Sequence, residues 1–303
     1  MQRPGIKIHP EVASALSGGA AVVALESTII SHGLPRPQNL MAARAFEELL
    51  RAQDVVPATI AVIRGTPTVG LTDEELELIA NEDIPKASVR DLPMLQAQGL
   101  SGATTVAATA HLAAKAGVKV FATGGLGGVH RGANETFDES ADLTTLASSP
   151  VVIVSAGVKS VLDIGATLER LETLSIPVVG YKTDAFPAFW LPASEFGLDW
   201  KVDSPAAAAN VFRAMQDQQT SSALVVANPV PAEEAWEKSE HDAVLEKAFA
   251  AADEMGVRGK EVTPFLLQYI VQESEGRSLE VNLSLARNNV NVAGEIARAL
   301  ASQ

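Results

Sequence analysis

Two hydrophobic rhythms alternate along this chain, and together they leave few folds open. Short, almost wholly apolar runs rich in Val and Ile recur at Ala20–Leu25, Thr59–Arg64, Val118–Thr123, Val151–Ser155, Val178–Tyr181 and Ala223–Ala227. Runs of that length with apolar residues on both faces are the signature of strands buried in a parallel sheet. Amphipathic stretches with helical spacing separate them: Pro37–Gln53, Thr72–Asn81, Ala103–Ala116, Asp138–Ser148, Ser160–Leu174 and Ser204–Gln219. Local punctuation supports the helices. Pro37 stands in a first-turn position, Thr72 and Glu75 have capping-box spacing, and Gly117 ends its helix. The order predicts a three-layer α/β/α fold with a mostly parallel central sheet. From Pro231 onward only helical patterns recur, broken at Gly256-Val-Arg-Gly259 and Glu275-Gly276-Arg277, so a layer of three helices is expected at the C-terminus. With no linker rich in Pro, Gly and Ser and no internal repeat, residues 1–303 read as a single domain.

Composition removes several function classes. There is no cysteine, so disulfides, thiolate zinc sites and cysteine nucleophiles are excluded, while an oxygen-ligated metal is not. A formal charge of −14 argues against a non-specific nucleic-acid binder. The longest uncharged run, Leu92 to Ala114, carries Pro93, Gly99 and Gly102 and is no membrane span. At the N-terminus the apolar stretch is interrupted by Ser17-Gly18-Gly19. It is read as a short helix opened at His9-Pro10 and followed by a buried strand, rather than a secretion signal. The expected address is the cytoplasm, with no membrane and no nucleic acid as partner.

In an open α/β sheet, ligands gather where strands end, and here the residues after the strands carry the chemistry. Glu26 follows the first apolar run, in Glu26-Ser-Thr-Ile-Ile-Ser-His-Gly33. A carboxyl there is either a general acid with a pKa raised by burial or a cap for loop N–H groups. Four glycines crowd Thr123-Gly-Gly-Leu-Gly-Gly-Val-His130. The spacing matches neither a dinucleotide fingerprint nor a phosphate loop. The segment is expected to cradle an anion on its backbone N–H groups, or to be a plain turn. Asp138 and Asp142 are four apart and, on a helix, would share a face fit for Mg²⁺ or Mn²⁺; an acidic first turn is the alternative. Lys159, in Ala156-Gly-Val-Lys-Ser160, sits among small and apolar residues at a strand end or helix start. Such a lysine suits Schiff-base chemistry if desolvation and a helix end lower its pKa; otherwise it is a snorkelling or capping lysine. Lys86 adds a cation that either binds phosphate or is solvated. The cluster Asn282, Asn288, Asn289 and Asn291 points to amide recognition or to hydrogen bonds between helices.

These segments resemble the pseudouridine-5′-phosphate glycosidase family, which includes indigoidine synthase A-like proteins. The stretches that carry the likeness are Ala24–Gly33, Arg90-Asp-Leu-Pro93, Gly102–Ala107, Phe121–Gly132, Thr136-Phe-Asp138, Ser140-Ala-Asp-Leu143, Ala156–Ser160, Val225–Pro229 and Thr263–Leu267. The resemblance implies reversible cleavage of the C–C glycosidic bond of pseudouridine 5′-phosphate to uracil and ribose 5-phosphate. It also implies a lysine Schiff base on the opened ribose, Mn²⁺ or another divalent cation, and a homotrimer. By the same likeness Glu26 is the proton donor, Lys159 the nucleophile and Asp138 the metal ligand. Lys86, Val106, Thr123, His130, Ser140, Ala141, Asp142 and Asn282 are substrate contacts. Two other functions use the same residues: a Schiff-base lyase or aldolase on another sugar phosphate, and a non-catalytic sugar-phosphate-binding protein.

Overall fold

A computed structural model describes residues 5–257 and 262–302. Eleven strands form one sheet among these residues: β1 (Lys7–Ile8), β2 (Val22–Leu25), β3 (Val56–Ile63), β4 (Thr66–Val69), β5 (Lys86–Ala87), β6 (Gly102–Thr104), β7 (Val120–Ala122), β8 (Val152–Ser155), β9 (Val178–Tyr181), β10 (Lys201–Val202) and β11 (Leu224–Ala227). The order is β1-β4-β3-β2-β7-β8-β11-β9-β10, with β6 on β3 and β5 on β6. Pairings are parallel except β3 with β4 and β3 with β6. The helices are α1 (Pro10–Ser17), α2 (Gln38–Arg51), α3 (Asp73–Asn81), α4 (Leu92–Gln98), α5 (Val106–Ala116), α6 (Ala133–Thr136), α7 (Ala141–Leu146), α8 (Ile164–Thr173), α9 (Pro205–Asp217), α10 (Lys238–Glu254), α11 (Val262–Glu273) and α12 (Arg277–Ala301).

Connection handedness places the layers. The chain leaves β2 for β3 through α2 in one direction. It advances from β7 to β8 to β9 through α7 and α8 in the other. Right-handed crossovers therefore put α2 on one face and α7 and α8 on the opposite face. α5 packs on α7, while α12 packs on α2 and α9 and lies across β2, β7 and β8. Because the chain departs to opposite sides from the neighbours β2 and β7, their carboxyl ends bound the crevice where such sheets bind ligands. α12 runs against the strands. Ala297 and Leu300 lie by the amino ends of β2 and β7, whereas Ala286 and Val290 line a crevice with Leu25, Glu26, Ala122 and Thr123.

All six strands expected from the apolar runs are present, and the tail holds helices only among the described residues. Two helix expectations are corrected. Ala103 and Thr104 belong to β6, and α5 starts only at Val106, because Thr105 is extended and its side chain caps the helix on the Ala108 N–H. The segment Asp138–Ser148 is helical only over α7: Asp138 and Glu139 lie outside it, and Ser140 is extended and caps the helix by accepting from the Asp142 N–H. Pro37 lies at the N-cap of α2 rather than inside its first turn. The capping box of Thr72 and Glu75, the left-handed Gly117 and the break at Glu275-Gly276 are as expected. The proposed break at Gly256–Gly259 falls partly outside the described residues. The short strands β1, β4, β5, β6 and β10 carry too few apolar residues to stand out in the sequence.

Candidate active site

Glu26 comes directly after β2, and hydroxyl groups fix the turn it sits in. Ser27 Oγ donates to the Ile60 carbonyl at 2.8 Å and accepts from the Thr104 N–H at 2.8 Å; Thr28 Oγ1 donates to the Thr104 carbonyl at 2.8 Å. These bonds tie the turn to β3 and β6 and explain why two hydroxyl residues follow the glutamate. Only part of Glu26 is accessible. Burial raises its carboxyl pKa, opposed by the Lys159 charge and by a hydrogen bond from Thr123 Oγ1 to Glu26 Oε1. Thr123 is the first residue beyond β7, so the bond spans the two strands that bound the crevice. Asn289 of α12 donates to the Thr123 carbonyl at 2.8 Å and accepts from Asn228 at 2.9 Å, which fixes this corner from the helix side.

Lys159 reaches the same corner because the β7–β8 pairing continues past the strands. The Ala156 N–H donates to the Gly124 carbonyl, Leu126 N–H to Gly157 and Lys159 N–H to Leu126, at 2.9, 2.9 and 3.2 Å. The glycine segment and the lysine segment are thus an extended pair of loops, and α8 begins only at Ile164, after the Asp163 cap. Of the two placements expected for Lys159, strand end or helix start, the structure has the first: it sits on the strand-end side, four residues past Ser155. Lys86 on β5 keeps part of its surface in solvent, yet desolvation and the nearby Lys159 charge lower its pKa, with Glu26 opposing. Glu26, Lys159 and Lys86 are one electrostatic group drawn from three strands.

The glycine segment, expected to cradle an anion or to form a plain turn, is tied to its surroundings through four N–H groups: Leu126 donates to Gly157, Gly127 to Asp142 Oδ2 at 2.8 Å, Val129 to Thr167 Oγ1 at 2.9 Å and His130 to the Asp138 carbonyl at 3.0 Å. The glycines are there for close packing. A Cβ on Gly127 would stand 2.3 Å from Ser140 Oγ, and one on Gly125 2.6 Å from the Phe189 ring.

Asp142 is buried, and both carboxylate oxygens are used within the protein. Oδ1 accepts from the Ala107 N–H at 2.9 Å and Oδ2 from Gly127. It joins the first turn of α5, where Val106 lies, to the glycine segment, and its charge helps to raise the Glu26 pKa. Ser140 caps α7 by accepting from the Asp142 N–H, and Ala141 opens that helix. Asp138 lies outside α7, so the argument that Asp138 and Asp142 share a helical face fails. His130 Nδ1 is 3.8 Å from Asp138 Oδ2, and among the described residues this pair makes no side-chain hydrogen bond to Glu26 or Lys159. Also among the described residues, no group of three or more His, Cys, Asp or Glu could cage a metal ion. The single half-exposed carboxylate of Asp138 fits only a hard cation that keeps most of its waters.

The asparagines of α12 divide by role. Asn288 and Asn291 join Asn289 in hydrogen bonds to loops, donating to Pro229 and accepting from Gln53. Asn282 shares a stripe with Ala286 and Val290, one turn closer to the mouth of the crevice. Its Oδ1 accepts from Trp190 Nε1 at 2.7 Å. Two residues near the site were not singled out in the sequence. His32 lies close enough for Lys86 and Asp83 to act on it, with its pKa lowered first by burial. Trp190 offered no signal beyond being a large aromatic in a loop.

Residues 11–299 match the family described as indigoidine synthase A like protein. A protein named pseudouridine-5′-phosphate glycosidase from Saccharopolyspora erythraea is 57% identical over 295 residues, covering 97% of each chain. One of the same name from Frankia alni is 56% identical over 302 residues, 99% of this chain and 84% of that one. Among solved structures, the prealnumycin C-glycosynthase AlnA in complex with ribulose 5-phosphate superimposes with TM-score 0.93 at 34% identity, covering 99% of this chain and 98% of the other. An indigoidine synthase A-like protein from Thermotoga maritima gives TM-score 0.89 at 38% identity, covering 99% of each.

Proposed function

This chain belongs to the indigoidine synthase A-like family, and from that premise we propose that it cleaves the C–C glycosidic bond of pseudouridine 5′-phosphate reversibly, giving uracil and ribose 5-phosphate. One observation carries the proposal. A carboxyl whose pKa is raised by burial, held by Thr123, shares the crevice at the β2–β7 switch point with the charge of Lys159. The relatives' names give the substrate, and the related C-glycosynthase shows a pentose phosphate in this fold.

The bond explains why a carboxyl must work with an amine. Ordinary glycosidases protonate a heteroatom leaving group and use a second carboxylate against the sugar, but the uracil carbon leaves poorly by that route. In the mechanism proposed here, Glu26 gives its proton to the ribose ring oxygen as the C1′–O bond opens. The Lys159 amine adds at C1′. The new ammonium gives a proton to the Glu26 carboxylate, and the freed lone pair forms an iminium as the C1′–C5 bond breaks and C5 takes that proton from Glu26, releasing uracil. Water hydrolyses the iminium to ribose 5-phosphate and restores the amine. Lys86, His130 and the first turn of α5 at Val106 are assigned to the phosphate and sugar. Ser140 and Ala141 line the substrate beside them, and phosphate binding energy holds C1′ against the amine. Asp142 is assigned to positioning α5 and the glycine segment. Thr123 orients Glu26, and Asn282 addresses the base.

Asp138 is the residue assigned to Mn²⁺ or a similar divalent cation, which when bound supplies positive charge near the substrate. A homotrimer, a single functional unit over residues 1–303 and a cytoplasmic address complete the proposal. Among the described residues, no helix is long and apolar enough to cross a membrane.

The direct test is to incubate the protein with pseudouridine 5′-phosphate and Mn²⁺ and to quantify free uracil. Stoichiometric uracil and ribose 5-phosphate are expected; binding with the nucleotide recovered intact would favour the non-catalytic alternative. Glu26→Gln is expected to lose about 10²- to 10⁴-fold in kcat while still binding the nucleotide. The wild-type rate, which needs the protonated carboxyl, should fall as pH rises through the raised Glu26 pKa, and this limb should vanish in Glu26→Gln. A variant with weakened binding and a normal kcat would remove Glu26 from the acid role.

A further inference from the structure

The hydrogen bond between Trp190 and Asn282 fixes the polarity of the group assigned to the base. An indole N–H donates and cannot accept. Trp190 is 1% exposed, and Phe189, Trp236 and His241 stand around its ring at centroid distances of 5.1, 5.6 and 5.9 Å. The Phe189–Trp190 segment is itself anchored on the lysine loop: Phe189 N–H donates to the Ala156 carbonyl at 3.0 Å and Ser160 Oγ to the Ala188 carbonyl at 2.7 Å. The indole N–H therefore has one direction and finds one acceptor, Asn282 Oδ1. Turning the amide over would set donor against donor in a buried place, at the cost of an unmade bond. The two N–H groups of Asn282 Nδ2, which no protein acceptor takes among the described residues, are what remains for a ligand.

We propose that Trp190 is a positioning residue that makes Asn282 a donor-only group, so that the site selects a base presenting a carbonyl, and not an amine, at the contacted position. The inference rests on the C-glycosidase function proposed above and adds a determinant of base choice to it. Uracil has carbonyls at both candidate positions. Cytosine and isocytosine each replace one of them with an amine, which would meet the Asn282 donors head on. A site built around a fixed donor rejects such an analogue through the pair of groups left unmatched.

The test uses the synthetic direction, with ribose 5-phosphate and a free base, on wild type, Trp190→Phe and Asn282→Asp. Trapping of ribose 5-phosphate by borohydride needs the lysine and no base. Trp190→Phe is expected to trap within about twofold of wild type, to raise KM for uracil about tenfold with little change in KM for ribose 5-phosphate, and to narrow the preference for uracil over cytosine and isocytosine about tenfold. Asn282→Asp keeps an acceptor for the indole and presents a second one to the base, so it should lose uracil and gain relative use of one amino base. Wild type that traps ribose 5-phosphate, combined with unchanged uracil KM and base preference in both variants, overturns the inference alone. Parallel loss of trapping and of uracil use in Trp190→Phe, with Asn282→Asp keeping the wild-type base preference, also overturns it. Wild type that fails to trap overturns the function proposed above and this inference together.

Discussion

Lys159→Ala is expected to retain its fold and lose at least about 10³-fold in turnover, since a covalent route through an amine has no substitute once the amine is gone. The structural cost should be small. The Lys159 backbone makes the local bonds: its N–H donates to Leu126 of the glycine segment, and its carbonyl accepts from the Leu162 N–H within its own loop. Lys159→Arg separates the two roles a cation can have here. An arginine keeps the charge that opposes the rise in the Glu26 pKa and still attracts phosphate, but it forms no imine under these conditions. If Lys159 only steadied the phosphate, the arginine variant would keep a large share of kcat, with the loss in KM. The covalent route predicts that both variants are equally inactive while both still bind the nucleotide, as read by isothermal titration.

Asp142→Ala is expected to be the most damaging single change to stability near the site, at roughly 3–5 kcal/mol by urea unfolding. Two buried N–H groups, on Ala107 and Gly127, would lose charge-assisted bonds at once. The lost carboxylate also joins α5 to the glycine segment, so the geometry of Thr123 and Glu26 should loosen with it. Asp142→Asn is the milder probe. It keeps one acceptor and removes a negative charge that now raises the Glu26 pKa. Glu26 would then ionise more readily, and the alkaline fall in kcat should move to lower pH than in wild type. An unmoved limb would mean that the Asp142 charge does not reach Glu26, and a stability loss under 1 kcal/mol in Asp142→Ala would mean that its two bonds are replaced by water.

Much of this architecture could be read from the chain because parallel strands buried on both faces are conspicuous: the runs around Val23, Ile60, Phe121, Ile153, Val179 and Val226 all became strands. The residues after those strands come together for the same reason, since the direction change between β2 and β7 places whatever follows them beside one crevice. The errors share a physical cause as well. The spacing of Asp138 and Asp142 fitted a helical face, but Ser140 is extended and starts α7 only at Ala141, which leaves Asp138 outside the helix that holds Asp142. The glycines after Thr123 read as an anion cradle or a plain turn, and nothing local showed that Gly127 donates to Asp142 or that Phe189 and Ser140 pack against Gly125 and Gly127. Trp190 was silent because its role depends on a partner 92 residues away on α12. Contacts of that range leave no periodicity to detect.

The central claim is that the Lys159 amine captures an opened pentose. It is tested most directly by adding borohydride to the protein with ribose 5-phosphate and mapping the modified peptide by mass spectrometry. A single reduced pentose phosphate adduct on Lys159, absent from Lys159→Arg, is the predicted result. An adduct on Lys86 instead, or full turnover with no adduct under reducing conditions, would contradict the account.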